Sequence, residues 1–216
     1  MPHIDLHVHT RYSRDSVAPV PSLIDRCRKN GLGPIAITDH HIIQGALDVG
    51  RAAPFQVIVG EEITSTAGNI IGLFLLRPVT GGLSPMETVA QIKDQGGLVL
   101  IPHPFDRFRP SALEHSALLE ILPFIDLMEG YNSHTFFPID NYKGVAFARE
   151  HSLPVVAGSG AHSAVELGNT YTEVPEFDFT PQGLLKAVSQ GQMGGCSPNP
   201  LWLMAPGYAR LRKVLR

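Results

Sequence analysis

The sequence is poor in cysteine and lacks long apolar runs, and each shortage excludes a class of protein. Its 216 residues include two cysteines, Cys27 and Cys196, which lie far apart and outside any CxxC pair. We therefore expect two free thiols, a reducing compartment and a cytoplasmic location. No stretch approaches the ~20 apolar residues that span a membrane. The first ten residues, MPHIDLHVHT, carry charge and histidine where a signal peptide is apolar, so no membrane partner is expected.

Charge is also scarce, and its distribution gives no case for a nucleic-acid-binding protein. Charged residues make up 17% of the chain, the formal net charge is -3, and Lys and Arg are concentrated only in the last few residues. The hydrophobic content of 44% excludes a disordered chain. The chain shows no internal repeat or linker, which predicts a single domain over residues 1–216. Its core is expected at about 3–192, with 193–216 as a tail packed on the outside.

Short apolar runs alternate with helix-like stretches along the chain. The runs show little alternation of polar and apolar residues, which is typical of strands buried on both faces of a parallel sheet. The predicted strands are Ile4–Val8, Pro34–Thr38, Phe55–Val59 with Ile63, Ile70–Leu76, Leu98–Ile101, Phe124–Met128 and Val155–Ala157. The predicted helices are Pro21–Asn30, Ser84–Gln95, Ile139–His151 and Thr180–Gln190. This order predicts a parallel α/β fold, in which Ile70–Leu76 could instead form a hairpin with the strand before it.

Polar side chains follow the predicted strands at the points where the strands end. His7 and His9 are two residues apart, so their side chains lie on one face of an extended chain. Because the carboxyl ends of parallel strands meet at one edge, we expect the residues at these exits to lie close together. They are His7, His9, Asp15, His40, Glu62, His103 and His162. Asp39 and Glu61 also lie at strand exits and are candidates to orient a histidine, although Asp39 could instead cap the following helix.

So many histidines in one cleft predict bound metal ions. Packing explains a cluster of neutral histidines poorly, and protonated histidines would repel one another, whereas a cation removes both objections. Mixed nitrogen and oxygen ligands favour Zn, Mn or Fe over Mg or Ca. The set exceeds what one tetrahedral ion needs, so we expect two or more divalent transition-metal ions in one cleft.

The motifs DLHVHTRYSRDS, TDHH, GEEIT, IPHP and GSGAHS occur in this order. Together they resemble the PHP (polymerase and histidinol phosphatase) domain family, from Asp5 to about Thr172. The resemblance implies a distorted (β/α)7 barrel with up to three metal ions at the carboxyl ends of its strands. It also implies hydrolysis of phosphate esters. The implied partners are small phosphorylated substrates or short oligonucleotides, and nothing in the sequence indicates the oligomeric state.

The resemblance assigns the ligands position by position. It places His7 and His9 on a first metal, Glu62 between the first and a second metal, and His103 on the second. Asp15, His40 and His162 match the ligands of a third metal. Two positions depart from the family pattern: Asn69 stands where a histidine is usual and offers a weaker neutral oxygen, and Gly160 stands where a metal-binding aspartate is usual. We expect a carboxylate at position 160 to face the same cleft.

The remaining candidates concern chemistry and substrate. Glu62, His103 and Asp15 are the catalytic candidates, with a water activated by metal as the nucleophile. No serine or cysteine has the surroundings of an activated nucleophile. Arg107 and Arg109 could hold a phosphate in a bidentate way. Glu129, Asn132 and His134 follow the sixth predicted strand and are candidates for contacts to the substrate, with His134 as a candidate general acid.

Two functions compete at this point. The first is an active metal-dependent phosphoesterase acting on a small nucleotide-like or metabolite phosphate. The second is a weakly active or non-catalytic metal-binding module with a regulatory or partner-binding role, which the changes at Asn69 and Gly160 favour. Hydrolysis of an amide or amine on a related barrel is a third alternative, and Gly160 counts against it because it removes the expected aspartate.

Overall fold

The fold is built on a single nine-stranded sheet that curves into a nearly closed barrel. A computed structural model describes residues 1–195 and 204–214. Its strands are β1 (His3–Val8), β2 (Leu32–Ile37), β3 (Val57–Ser65), β4 (Gly68–Leu73), β5 (Leu98–Ile101), β6 (Leu127–Asn132), β7 (Val155–Gly158), β8 (Thr170–Glu173) and β9 (Gln192–Gly195), in the spatial order β7-β6-β5-β4-β3-β2-β1-β8-β9. Just beyond β7, Ala161 pairs with Val8 in a parallel bridge. This bridge brings the far end of the sheet back to β1.

Most neighbouring strands of the barrel are parallel. β1, β2 and β3 run parallel to one another, as do β5, β6 and β7. β4 is antiparallel to both β3 and β5, so the alternative of a hairpin between the third and fourth strands is confirmed. β8 and β9 extend the sheet beside β1 with antiparallel pairing. The α/β barrel class predicted from the sequence is confirmed.

Seven helices connect or cover the strands of the described chain. They are α1 (Val20–Asn30), α2 (Gln44–Ala52), α3 (Pro85–Lys93), α4 (His115–Glu120), α5 (Pro138–Glu150), α6 (Pro181–Val188) and α7 (Ala205–Val214). The predicted starts of two helices are confirmed. Ser84 caps α3 in a reciprocal pair with Glu87, and the Thr180 hydroxyl accepts the Gly183 N–H at the start of α6. No helix in the described part is both long and apolar enough to cross a membrane.

Several elements differ from the sequence prediction. The sixth strand begins at Leu127 instead of Phe124, because Leu122–Phe124, with its proline, forms a 3₁₀ turn before it. The segment predicted as an external tail begins as the edge strand Gln192–Gly195 and then contributes a helix, α7. The short strand Thr170–Glu173 and the helix Gln44–Ala52 were not predicted. The prediction for the Cys196 thiol lies outside the described residues, whereas Cys27 is buried and free.

The alternation of side chains along β1 links the core to the site. Ile4 and Leu6 are fully buried in a cluster with Leu100 and Leu127 of other strands. Each such side chain stabilises the fold by roughly 1.5–3 kcal/mol through burial. Strand geometry turns the alternate residues of β1 to the opposite face. The apolar half of β1 therefore fixes in place the face on which His7 lies.

Candidate metal centre

The predicted ligands converge at the carboxyl end of the barrel. His7 and His9 come from the end of β1, Asp15 from the following loop, His40 from the exit of β2, Glu62 from β3, His103 from the exit of β5 and His162 from the exit of β7. All are buried except His40, which is partly exposed. A backbone bridge between His40 and Glu62 ties the second exit to β3. The structure therefore brings together residues that are up to 155 positions apart in the sequence.

Three ligand atoms meet at the centre of this cluster. His7 Nε2 lies 3.1 Å from His9 Nε2, and Glu62 Oε2 lies 3.2 Å from each of these nitrogens. His7, His9 and Glu62 thus offer three buried ligand atoms within 4.8 Å of one another. Two ring nitrogens and a carboxylate oxygen at this spacing form a donor set that suits a transition metal. The residues present fit a metal ion at this point.

A second group shares His9 with the first. His9, His40 and His162 also place one ligand atom each within 4.8 Å of the others. Asp15 lies between the outer two histidines, with its carboxylate oxygens 3.6 Å from His40 Nε2 and from His162 Nε2. Asp15 Oδ1 is buried without a hydrogen-bond partner in the described structure. A buried carboxylate oxygen without a donor is costly, and a cation would satisfy it.

His103 and Asn69 approach Glu62 from its other oxygen. His103 Nε2 lies 3.2 Å from Glu62 Oε1, and the Asn69 side-chain amide donates to the same oxygen at 2.7 Å. Asn69 Oδ1 is buried without a partner among the described residues. Its carbonyl oxygen is thus uncommitted beside Glu62, while its amide group already holds that carboxylate. Glu62 therefore lies between the pair His7 and His9 at one oxygen and His103 at the other, as a bridging carboxylate would.

Glu129 contacts two of the predicted ligands, His7 and His103. One of its oxygens lies 3.0 Å from His7 Nδ1, and the other accepts the His103 backbone N–H at 2.7 Å and the Asn132 amide at 2.9 Å. The backbone of His103 is strained, with a φ of 34°. The hydrogen bond from its backbone N–H to Glu129 helps to hold this conformation. The sequence predicts Glu129 and Asn132 as substrate contacts, but the structure places Glu129 behind the histidines, with contacts to both of its oxygens.

A second carboxylate acts on His9 through a serine. Asp39 accepts hydrogen bonds from the hydroxyls of Thr10 and Ser13, and Ser13 Oγ lies 3.1 Å from His9 Nδ1. Ser13 Oγ also accepts the backbone N–H of His40 at 3.0 Å. Of the two roles predicted for Asp39, this contact chain supports orientation of a histidine. Fixing one ring nitrogen leaves the other free to bind a metal.

The protonation states follow from burial and from the alternating charges. Burial lowers the pKa of His9 well below its usual value, and the neighbouring His162 lowers it further. Burial and the charge of Arg109 lower the pKa of His103 to about 4. Both rings are neutral at pH 7, so their lone pairs are available. Burial opposes charge on His7 as well, but the carboxylates of Glu129 and Glu62 raise its pKa to about 10.

The carboxyl groups of Glu62 and Asp15 are ionised at pH 7. Burial alone would raise the pKa of Glu62, but the positive charges of His40 and His7 lower it well below its usual value. Burial would also raise the pKa of Asp15, but the rings of His162 and His40, each 3.6 Å from one of its oxygens, lower it. The two carboxylates of Glu129 and Glu62 therefore favour positive charge at His7. A bound metal ion supplies that charge as well as a proton does.

A cavity of about 940 Å³ opens over the second group of ligands. Asp15, His40, His162, His134 and Asn69 line its floor, and Arg14, Arg109, Arg210 and three phenylalanines line its sides. Of the two arginines predicted to hold phosphate, Arg109 lines this cavity and Arg107 does not. The Arg107 guanidinium instead makes a bidentate contact with Asp140 of α5, at 2.7 and 2.9 Å. His134 is buried at the cavity floor, where its ring contacts the Glu166 carboxylate.

Arg210 is a residue of this site that the sequence did not indicate. Its guanidinium lies 3.0 Å from Asp15 Oδ2, and Lys213 on the same helix donates to the backbone oxygens of Arg11 and Ser13. Helix α7 therefore sits across the loop that carries Asp15. The concentration of Lys and Arg in the last residues was the one sequence signal for this contact.

Gly160 has a backbone conformation that favours glycine. Its φ is +58°, and a Cβ built there would lie 3.2 Å from the Asn132 amide nitrogen and 3.6 Å from His134. A side chain at position 160 would therefore begin beside Asn132 and His134. That a carboxylate at position 160 faces the cleft and reaches a metal stays a prediction.

Comparison with protein families finds two matches that together span most of the chain. Residues 5–107 match the family model described as "PHP domain", and residues 138–193 match one described as "PHP-associated". An uncharacterized protein of Methanocaldococcus jannaschii is 33% identical over 179 residues, which cover 82% of this chain and 72% of that protein.

Two solved structures share the fold at low identity. One is a two-domain protein from Bacteroides vulgatus containing a predicted PHP-like metal-dependent phosphoesterase. It matches with a TM-score of 0.71 and 19% identity over 97% of this chain and 69% of that one. The other is the lesion-specific endonuclease PfuEndoQ from Pyrococcus furiosus, with a TM-score of 0.60 and 15% identity over 91% of this chain and 59% of that one. These likenesses show the barrel fold.

Proposed function

The chain belongs to the PHP domain family, and we propose that it is a metal-dependent phosphoesterase that hydrolyses a small phosphate ester with an activated water. The observation that carries this proposal is the meeting of His7, His9 and Glu62, whose ligand atoms lie within 4.8 Å of one another at the barrel end. A buried, mixed nitrogen and oxygen donor set beside a cavity with cationic walls suits hydrolysis at phosphorus.

The proposed ligands form three sets, and the first two share Glu62. His7, His9 and Glu62 would hold one ion, Glu62 and His103 a second, with the Asn69 oxygen as a weak addition, and Asp15, His40 and His162 a third. We propose Zn, Mn or Fe, because imidazole and carboxylate together suit these metals. Divalent ions at such a site polarise phosphoryl oxygens and lower the pKa of a coordinated water.

The chain's own groups prepare the site. Glu129 holds the Nδ1 side of His7, so that His7 Nε2 faces Glu62, and Asp39 acts on His9 through Ser13. Arg109 and Arg210 supply positive charge at the cavity wall, where a phosphate dianion needs it. Asn132 and His134 remain proposed contacts to the substrate. Glu62, His103 and Asp15 remain the proposed catalytic residues through their hold on the ions.

The proposed substrate class is a nucleotide-like or metabolite phosphate, with a short oligonucleotide as the larger alternative. The fold likeness to a lesion-specific endonuclease supports the oligonucleotide alternative. The competing function is a weakly active or non-catalytic metal-binding module, and the specific observation in its favour is the absence of a carboxylate at Gly160. The two cysteines support a proposed cytoplasmic location, and the oligomeric state stays open.

The test is phosphate release from a set of phosphate monoesters and cleavage of a short oligonucleotide, with wild type and variants at equal metal loading. We expect Glu62→Gln and His9→Ala to lose about 100-fold or more in kcat/KM, because each removes a ligand at the centre of the cluster. Glu150→Gln is the matched control, because Glu150 is an exposed residue at the end of α5. Circular dichroism checks that each variant is folded.

The results separate the two functions. Turnover in the wild type and in Glu150→Gln, with loss in the other two variants, supports the phosphoesterase. Metal binding without turnover on any monoester or oligonucleotide supports the non-catalytic module. Near-wild-type turnover in Glu62→Gln or His9→Ala would overturn the assignment of the site.

A further inference from the structure

Three phenylalanines form an exposed cluster on the wall of the site cavity. Phe108, Phe136 and Phe137 all line this cavity, and 65%, 51% and 36% of their respective surfaces remain exposed. Their ring centroids lie 4.9 to 5.9 Å apart, with Phe136 almost perpendicular to both of the others. We call these three residues the aromatic wall. Grouped aromatic side chains left in contact with water are unusual on a folded protein and indicate a binding surface.

The loop that carries Phe108 is fixed by hydrogen bonds. Asp106 accepts the Phe108 backbone N–H at 3.1 Å and contacts the Arg109 side chain. The neighbouring Arg107 binds Asp140 of α5 in a bidentate manner and lies over the Phe137 ring, 5.1 Å from its centroid. Two separate loops are thereby joined under the rings. A platform that is already ordered loses little entropy when a flat ligand stacks on it.

The rest of the cavity indicates what kind of ligand would reach this wall. Arg14, Arg109 and Arg210 line the same cavity, and so do three of the proposed metal ligands, Asp15, His40 and His162. One part of the cavity thus suits an anionic phosphate, and another part suits an uncharged flat ring. A nucleotide joins these two chemistries in one molecule, and base–aromatic stacking is the usual contact between such rings.

We propose that the aromatic wall is the base-binding subsite of this cavity, with Phe108 stacking on the nucleobase and Phe136 contacting its edge, in a nucleotide whose phosphate lies at the metal ligands. This inference rests on the proposed function for the position of the phosphate. It narrows the substrate class from phosphate esters in general to nucleotides or the end of an oligonucleotide. A sugar phosphate without a base would leave the rings in contact with water.

The test is isothermal titration calorimetry on the full, metal-loaded chain with two ligands that differ only in the base. The ligands are the methylene phosphonates of adenosine 5′-phosphate and of ribose 5-phosphate, in which a CH₂ group replaces the ester oxygen. Because neither can be hydrolysed at that bond, the measurement is independent of turnover. We expect the adenosine compound to bind roughly 5- to 150-fold more tightly, which is the range for stacking of one base.

Substitutions of Phe108 and Phe136 test whether their rings cause the tighter binding of the adenosine compound. Phe108→Leu combined with Phe136→Leu keeps apolar volume and removes both π-faces, and it should bring the ratio of the two affinities close to 1. Phe108→Tyr keeps the ring and should preserve the ratio. The matched control is Phe124→Leu, since Phe124 is 43% exposed in the 3₁₀ turn before β6 and is not among the cavity-lining residues.

Each result decides the matter. Equal affinity of the wild type for both ligands overturns the subsite, and so does an unchanged ratio in the double leucine variant. A double variant that keeps its ligand ratio but changes from dimer to monomer on gel filtration would identify the wall as a contact between copies of the chain. Tighter binding of the adenosine compound without turnover on any ester would support the subsite and refute the phosphoesterase. Turnover with equal binding of the two compounds would support the phosphoesterase and refute the subsite.

Discussion

Replacing Glu129 by glutamine should weaken metal binding at His7 without removing any ligand. Glu129 receives three donors in the structure: the His7 ring at Nδ1, the His103 backbone N–H and the Asn132 amide. A carboxylate can accept all three, since both of its oxygens are acceptors. Glutamine has nearly the same shape but only one acceptor oxygen, so one side of the residue must present an NH₂ group.

Both orientations of that glutamine are unfavourable. With its NH₂ towards His7, the ring must accept at Nδ1 and carry its proton on Nε2, which is the nitrogen that faces Glu62 and His9. With its NH₂ towards the other side, two donors, from His103 and Asn132, meet a third donor. Loss of a group that orients a metal ligand commonly costs ~10- to 100-fold in affinity, which corresponds to about 1.4–2.7 kcal/mol.

The assay is a competitive titration of Zn²⁺ against a chelating dye, for wild type, Glu129→Gln and the control Glu150→Gln. Both variants remove one negative charge, but Glu150 is exposed at the end of α5. We expect the loss in Glu129→Gln alone, with circular dichroism spectra that match wild type. Affinities for Glu129→Gln and wild type within twofold of each other would refute the role assigned to Glu129.

Two further predictions concern the same cluster. Because its carboxylate neighbours raise the pKa of His7 to about 10, this ring is protonated at pH 7 before metal binds, and its Nε2 must lose a proton to become a ligand. Metal affinity should therefore rise with pH up to about 10, and calorimetry in two buffers of different ionisation enthalpy should show release of about one proton at pH 7; heats independent of the buffer would contradict this. Gly160→Asp should raise metal affinity up to roughly tenfold, while its φ of +58° should cost about 1 kcal/mol in the free energy of unfolding. Unchanged affinity in a competitive titration would show that residue 160 is not at a ligand position.

The ligand cluster could be predicted from the sequence because it depends on a rule about strand ends. His7 and His9 share a face through their spacing of two, and His103 follows a strand whose predicted and observed bounds agree, Leu98–Ile101. Glu62 is predicted to follow the strand Phe55–Val59, whereas in the structure it lies within β3, which continues to Ser65. Given an α/β barrel, the meeting of these residues follows from the carboxyl-end rule.

The role of Glu129 could not be predicted, because it depends on irregularities of β6. A break in register between Glu129 and Tyr131 lets residues three apart, Glu129 and Asn132, meet on one side of the strand. The Glu129 carboxylate then passes over Gly158, where an added Cβ would lie 1.9 Å from Oε1. A bulge and a close approach of this kind are properties of the packed sheet and leave no periodic signal in the sequence.

Contacts between distant segments of the chain could not be predicted from the sequence either. Arg210 reaches Asp15 across 195 positions, and a run of basic residues does not say which carboxylate it will meet. Arg107 and Arg109 are two positions apart in one loop, yet one is held by Asp140 on α5 and the other lines the cavity. Their different surroundings follow from where α5 lies.

The central claim, that this barrel end holds transition metal, is tested most directly by elemental analysis of the full chain purified without chelator and then dialysed after incubation with Zn²⁺, Mn²⁺ and Fe²⁺. The structure places two groups of three ligand atoms within reach of an ion, and the two groups share His9. We predict at least one equivalent of metal in the wild type and a clear reduction in His9→Ala. A wild-type content indistinguishable from the dialysis buffer would contradict the account.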